Sequence, residues 1–247
     1  MTTADSPDTG AVDEARRREA VRLLEARHYG QAIAIFEEVL REQQEEHPAE
    51  LQTIRTANFL AKALFQSGQA ARAAEVQERV LLETMGAVGD RHPSALVARY
   101  NLILYLRGLG HWTAALGEAR ELVSIMRGGY DPGPLGLDDA LAVLAATLRR
   151  SGDRAGAEPV DRELVELCVG LEGPESRAVL RATSNLALGL HQRGERVEAL
   201  ALISEARRGA RATLDRRDRL RRDIVHNWWM IRSKVPVREV PFRGVGE

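Results

Sequence analysis

The sequence predicts an all-α fold, a solenoid of about five helix-turn-helix repeats that ends in one capping helix. Alanines recur along the 247-residue chain at intervals of 41, 42, 42 and 42 residues, at Ala32, Ala73, Ala115, Ala157 and Ala199. Glycines stand five residues before four of these alanines, and leucines stand eight and four residues before the glycines. Repeat units of this length cannot bury their apolar faces alone, so the constant interval predicts units that stabilise one another by stacking.

Each unit is predicted to begin with an amphipathic helix that carries a pair of leucines. The pairs are Leu60 and Leu64, Leu102 and Leu106, Leu144 and Leu148, and Leu186 and Leu190, with Leu23 as the match in the first unit. A spacing of four places both members of a pair on one face of the helix.

A glycine is predicted to end this first helix, because glycine adopts the left-handed conformation at little cost. The glycines in this place are Gly68, Gly110, Gly152 and Gly194. Arg27 stands there in the first unit. We therefore expect that turn to differ, with Gly30 taking over the role.

The second helix of each unit carries the repeated alanine and, seven positions later, another apolar residue in four of the five units. These later residues are Val39, Val80, Leu122, Leu164 and, as a weaker match, Ala206. Stacking of the apolar faces predicts a continuous core. Cys168, the only cysteine, lies in the apolar run 164–169 and is interpreted as an inert core residue.

The repeats are expected to occupy residues 13–212. Residues 1–12 lack apolar periodicity and are expected to be disordered. The glycine- and proline-rich loop 127–134 is the longest interruption and a candidate hinge, with a plain connector as the alternative.

A capping helix is predicted at residues 213–234. Asn227-Trp228 follows Asn185-Leu186 by 42 residues, and an apolar stripe continues the register at Leu220, Ile224, Trp228 and Ile231. Such a half repeat covers the exposed face of the last unit. Residues 235–247 interleave prolines with apolar residues, which excludes a helix and favours an extended or disordered tail.

The order of leucine, small residue, leucine, glycine and alanine resembles the tetratricopeptide repeat over residues 13–212. The period is longer than the 34 residues usual for that family. It is similar to the variety found in kinesin light chains and in many bacterial adaptor and signalling proteins. The matching segments are His92-Pro93-Ser94-Ala95-Leu96, Gly173-Pro174-Glu175-Ser176 and Ala157-Glu158-Pro159-Val160.

The resemblance implies a right-handed superhelical solenoid. It also implies that Pro159 is accommodated inside a continuous but bent second helix. Four other prolines in the repeats are expected to mark the starts of first helices, where a missing donor is harmless. They are Pro48, Pro93, Pro132 and Pro174.

Composition and motifs argue against an enzyme, a metal site or a cofactor site. The net charge is −1, so no global field attracts nucleic acid or an anionic membrane. The six histidines are scattered without metal-ligand spacing, and phosphate-loop and nucleophile-turn motifs are missing. The sequence has no secretory leader pattern and no long apolar run, so we expect a cytoplasmic protein that does not insert in a membrane.

The predicted activity is therefore binding of another protein or peptide. First helices line the concave side of such an array, and the resemblance places the groove stripe on positively charged and amide side chains. The stripe consists of Arg55, Asn58, Lys62, Tyr100, Asn101, Leu104, Arg107, Arg149, Arg150, Arg181, Ser184, Asn185, Leu188 and His191. Asn101 and Asn185 can each offer a donor and an acceptor to an extended backbone. The arginines favour a segment with acidic side chains or a free carboxylate.

Other interpretations stay open. The groove arginines could instead pair with Asp139, Glu175 or solvent, and the asparagines could serve helix packing. Eight arginines between residues 207 and 222 could contact nucleic acid or simply form a solvated helix face. The chain could also sense a small peptide or be a structural subunit of an assembly. The tail could plug the groove or drive self-association.

Overall fold

The computed structural model describes residues 9–46, 51–128 and 135–233. These residues form eleven α-helices and confirm the all-α prediction. The helices are α1 (Thr9–Glu25), α2 (Tyr29–Glu46), α3 (Leu51–Gln66), α4 (Ala70–Val88), α5 (Pro93–Leu109), α6 (Trp112–Arg127), α7 (Leu137–Ser151), α8 (Arg154–Glu172), α9 (Arg177–Gln192), α10 (Arg196–Thr213) and α11 (Arg219–Ser233).

The chain divides into two compact units, Met1–Glu118 and Ala119–Glu247. In the first unit each helix from α1 to α5 packs against the next, and α1 also contacts α3. In the second unit each helix from α7 to α11 packs against the next, and α9 also contacts α11. The boundary falls within α6, so each unit is a stack of helix pairs with a core of its own.

The recurring residues of the sequence form these cores. All five repeated alanines, from Ala32 to Ala199, are at most 1% exposed. The leading leucines Leu60, Leu102, Leu144 and Leu186 are between 3% and 7% exposed. A methyl group at the alanine position lets two helices approach closely, and the leucines fill the space alongside. The constant interval between these residues in the sequence therefore reflects repeated contacts between helices.

The turns between paired helices confirm the glycine prediction and correct one expectation. Gly68, Gly110, Gly152 and Gly194 all have φ between +76° and +97°. Arg27 adopts φ +63° itself, while Gly30 lies inside α2, so the expectation that Gly30 takes over is wrong. The amides of Arg27 and His28 donate to the carbonyls of Leu24 and Leu23, as those of Gly110 and His111 do to Arg107 and Leu106. The hydrogen bonds of the turn thus impose its geometry on an arginine.

Within the first unit, the first helices of successive pairs adjoin one another. Arg17 on α1 donates to Gln52 Oε1 on α3 at 2.5 Å. The rings of Phe65 on α3 and Tyr105 on α5 have centroids 4.7 Å apart. On the other side of the unit, Arg72 Nη2 of α4 pairs with Glu37 Oε1 of α2 at 2.5 Å. First helices therefore form one layer and second helices another.

The second unit has the same two layers. The amide of Asn227 on α11 donates to Ser184 Oγ on α9 at 3.1 Å. Arg162 on α8 pairs with Glu198 Oε1 on α10 at 2.8 Å. A Cβ built on Gly189 of α9 would lie 3.8 Å from Arg149 Cδ on α7.

Prolines behave as expected at two of the positions that the structure describes. Pro93 is the first residue of α5, whose N-cap His92 accepts the amide of Ser94 at Nδ1. α8 continues from Arg154 to Glu172 through Pro159. Pro174, by contrast, precedes α9 and its N-cap Ser176, so it lies outside the helix whose first turn it was expected to occupy.

The capping helix is present as α11. Ile224 and Ile231 are fully buried and Trp228 is half-buried, as the predicted stripe requires. At the other end α1 begins at Thr9, inside the segment 1–12 that we expected to be disordered. The tail 235–247, most of the candidate hinge 127–134, Pro48 and Pro132 lie outside the described residues.

Candidate peptide-binding surface

In the first unit, the predicted groove residues lie on α3 and α5. Arg55, Asn58 and Lys62 are three and four residues apart and share one face of α3. Asn101, Leu104 and Arg107 share a face of α5 in the same way. Arg55 is exposed and the other five are half-buried. The contact between Phe65 and Tyr105 brings the two helices together near their carboxyl ends.

The two asparagines of this unit differ in their hydrogen bonds. Asn58 donates to the carbonyl of Ile54 at 3.0 Å and accepts from Gln77 Nε2 at 3.0 Å, so its amide is already used inside the unit. Asn101 is half-buried beside the core residue Leu102, and within the described ranges its amide makes no hydrogen bond. An amide in that position can bond a ligand in two directions.

In the second unit, the predicted groove residues lie mainly on α9. Arg181 is exposed, Asn185 and His191 are half-buried, and Leu188 is 3% exposed. As with Asn101, no hydrogen bond joins the Asn185 amide to another described residue. The Leu188 side chain packs in the core instead of lining a surface.

Three further residues of the predicted stripe are interior residues. Tyr100 is 1% exposed and Ser184 is 3% exposed. The Arg149 side chain is 8% exposed and pairs with Asp161, which is 2% exposed. These three side chains are packed between helices, so they are poorly placed for ligand contact. Arg150, next to Arg149, is exposed.

The buried Arg149–Asp161 pair joins α7 to α8 inside the second unit. Arg149 Nη1 lies 2.6 Å from Asp161 Oδ1 and 2.5 Å from Oδ2. Asp161 stands four residues after Ala157, a position that is at most 2% exposed in every repeat. The equivalent residues are Phe36, Gln77, Ala119 and Ile203. A carboxylate or amide at this apolar position needs a polar partner. The presence of Asp161 and Gln77 at this position was therefore the sequence signal for the Arg149–Asp161 and Asn58–Gln77 pairs.

Electrostatics differ between the two surfaces. In the first unit, burial lowers the pKa of Arg17, and the positive charge of Arg55 lowers it further. Arg55 makes no ion pair with any described residue. In the second unit, burial raises the pKa of Asp139, and the charge of Arg181 opposes that rise. Arg181 therefore acts electrostatically on a carboxyl group of its own unit.

The described residues offer no centre for metal chemistry. No three His, Cys, Asp or Glu side chains among them lie close enough together to hold a metal ion. Cys168 is 2% exposed, and burial raises the pKa of its thiol to about 11. In the same ranges, no helix has the length and apolarity needed to cross a bilayer.

Solved structures share this arrangement of helix pairs. A putative kinesin light chain of Podosopora anserina, with nearly identical TPR-like repeats, matches with a TM-score of 0.73 and 20% identity over 82% of this chain and 97% of that one. The chain has the tetratricopeptide-like repeat fold. No protein-family model and no curated protein sequence matches it.

Other solved structures match over most of the chain. BtubC from P. vanneervenii matches with a TM-score of 0.60 and 14% identity over 98% of each chain. A Rap protein complexed with competence and sporulation factor matches with a TM-score of 0.58 and 12% identity, over 79% of this chain and 53% of that one. The 42-residue unit read from the sequence is thus a tetratricopeptide-like helix pair.

Proposed function

We propose that this chain is a non-catalytic interaction protein that binds an extended peptide segment of a partner on its first-helix surfaces. The tetratricopeptide-like fold supports a role in protein–protein interaction in general, since stacked helix pairs present long, regular surfaces. The Rap protein of similar fold forms a complex with competence and sporulation factor.

The observation that carries the proposal is the state of Asn101 and Asn185. Both are half-buried on first helices, both precede a core leucine, and neither amide bonds a described residue. An amide that is not used inside its own unit keeps its donor and its acceptor available to a ligand. A peptide backbone supplies one donor and one acceptor per residue, which matches what each amide offers.

The charge near the surface of the first unit supports a preference for acidic segments. Arg55 is exposed on the same face as Asn58, and no described carboxylate neutralises it. A guanidinium binds a carboxylate through two parallel hydrogen bonds. An extended segment with acidic side chains or a free carboxylate would therefore bind there better than a neutral one.

The test begins with a phage-displayed library of unstructured peptides, from which peptides that bind the full chain are selected. The affinity of a selected peptide is then measured by fluorescence anisotropy with Asn101→Ala, Asn185→Ala and the double variant. Losing two neutral hydrogen bonds should weaken binding about tenfold at the surface that is used. Replacing the glutamates of the peptide by glutamine should weaken it further.

Gln31→Ala is the matched control. It removes an exposed amide from α2, a second helix, and should leave affinity unchanged. The proposal fails when no peptide is selected, or when the double asparagine variant binds the selected peptide as well as the original chain does. Melting curves of all variants verify that each remains folded.

A further inference from the structure

A pocket lined by three arginines lies where α10 passes into α11. It has a volume of about 350 Å³ and is lined by Arg216, Arg221, Arg222, Val225 and His226. Arg216 belongs to the connecting turn, and the other four belong to the first two turns of α11. Three arginine side chains and one histidine side chain thus line a single depression, and none of its lining residues carries a carboxylate.

The turn that carries Arg216 is held by its own hydrogen bonds. The amide of Asp218 donates to the carbonyl of Asp215 at 3.0 Å, and the amide of Arg217 donates to Asp215 Oδ1 at 2.7 Å. Arg221 Nη1 donates to the carbonyl of Leu214 at 2.8 Å and ties α11 to the end of α10. The backbone of the pocket is therefore ordered before any ligand arrives, which reduces the entropy lost on binding.

The neighbouring carboxylates are occupied elsewhere. Asp218 pairs with Arg177 Nη1 at 2.6 Å and caps α11 by accepting the amide of Leu220 at 2.8 Å. The hydrogen bond from Arg177 holds the pKa of Asp218 below its ordinary value, so this carboxylate is charged at neutral pH. Asp223 lies 3.7 Å from Arg219.

Neither Arg216 nor Arg222 is neutralised by a direct ion pair within the described ranges. Both side chains are exposed. Positive charge also accumulates on the adjoining part of α10. Burial lowers the pKa of Arg207, and the charges of Arg211, Arg232 and Arg208 lower it further.

We propose that this pocket binds a phosphate group. A doubly charged tetrahedral anion offers several acceptor oxygens to several guanidinium forks at once, whereas one carboxylate offers two. The group would be free phosphate or a phosphate monoester carried by a partner. This site is separate from the peptide surfaces on α3, α5 and α9, and it does not depend on the function proposed for them.

The test uses the full chain and inorganic phosphate, titrated by calorimetry at constant ionic strength. Saturable binding is expected, and Arg216→Gln and Arg222→Gln should each weaken it about tenfold, since each removes a charge-assisted contact. Arg208→Gln is the matched control. It removes the same charge from an exposed residue of α10 outside the pocket, and should change affinity less than about twofold.

Phosphoserine, titrated in parallel, distinguishes the sources of the phosphate group. Tighter binding of phosphoserine than of inorganic phosphate supports a monoester on a partner, and equal binding supports free phosphate. The proposal is overturned when phosphate shows no saturable binding, or when Arg208→Gln weakens binding as much as Arg222→Gln. The second result would indicate diffuse attraction along the arginine-rich segment, of the kind that duplex DNA would also show. Unchanged melting curves verify folding.

Discussion

Removal of the Asp161 carboxylate is expected to be among the most damaging single changes in the second unit. Asp161 is 2% exposed, and the Arg149 side chain that bonds both of its oxygens is 8% exposed. Asp161→Ala leaves the guanidinium between α7, α8 and α9 without this counter-charge. Gly189 of α9 lies beside the pair, and a Cβ built on it would lie 3.8 Å from both Arg149 Cδ and Asp161 Oδ2.

The magnitude follows from burial. Breaking a buried ion pair by removing one partner costs about 3–5 kcal/mol of unfolding free energy. Replacing both partners by apolar residues of similar volume, as in Arg149→Met with Asp161→Leu, removes the charges together and should cost less than about 1 kcal/mol. Glu163→Ala is the control in the same unit. It breaks a pair with Arg127 whose side chains are 53% and 40% exposed, and such a pair contributes at most about 1 kcal/mol.

Urea denaturation followed by circular dichroism measures these changes. Because the chain has two compact units, the transition is first tested for two phases, and the phase that Asp161→Ala shifts is assigned to the second unit. The reasoning is refuted if Asp161→Ala costs no more than Glu163→Ala. It is also refuted if the apolar double variant is as unstable as Asp161→Ala.

Three further predictions concern Arg27 and Cys168. Arg27→Gly should raise the unfolding free energy by about 1 kcal/mol in the same denaturation experiment, because glycine adopts φ +63° without the steric cost that arginine bears. An unchanged or lower unfolding free energy would contradict a strained turn. In the folded protein, Cys168 should react with a thiol reagent at neutral pH about a hundredfold more slowly than in urea. The reason is that its pKa is raised to about 11, which lowers the fraction of reactive thiolate. Equal rates in the folded and unfolded protein would contradict its burial. Because the pKa of Cys168 is raised in the folded state, the stability contributed by its neutral thiol is complete below about pH 9 and is lost as pH rises toward 11. Cys168→Ser should abolish this pH dependence of the unfolding free energy.

The helices and their turns could be predicted because their determinants are local. A leucine pair four residues apart defines a helical face, and glycine at a constant offset defines a left-handed turn. The error at Arg27 shows the limit of that logic. The conformational preference of glycine favoured Gly30 as the left-handed residue of this turn. The hydrogen bonds from the amides of Arg27 and His28 to α1 instead place the left-handed conformation at Arg27, the position that glycine occupies in the other repeats.

The binding surface could be predicted only in part. Spacing assigns a residue to a side of its helix, yet it does not say how deeply the neighbouring helices cover that side. Tyr100, Ser184 and Arg149 share the register of surface residues and are nevertheless buried. Asn58 and Asn101 both belong to the predicted stripe, and only the hydrogen bond from Gln77 to Asn58 distinguishes a used amide from an available one.

The period of 42 residues alone was enough to establish helix pairs, their order and the alanines and leucines between them, because these depend on regular spacing along one chain. The division within α6, the choice of Arg149 as the partner of Asp161 and the meeting of Arg216 with Arg221 and Arg222 emerged only from the folded chain. Each depends on how segments from different helices approach one another in space. That approach is set by packing over many side chains, so no short pattern in the sequence encodes it.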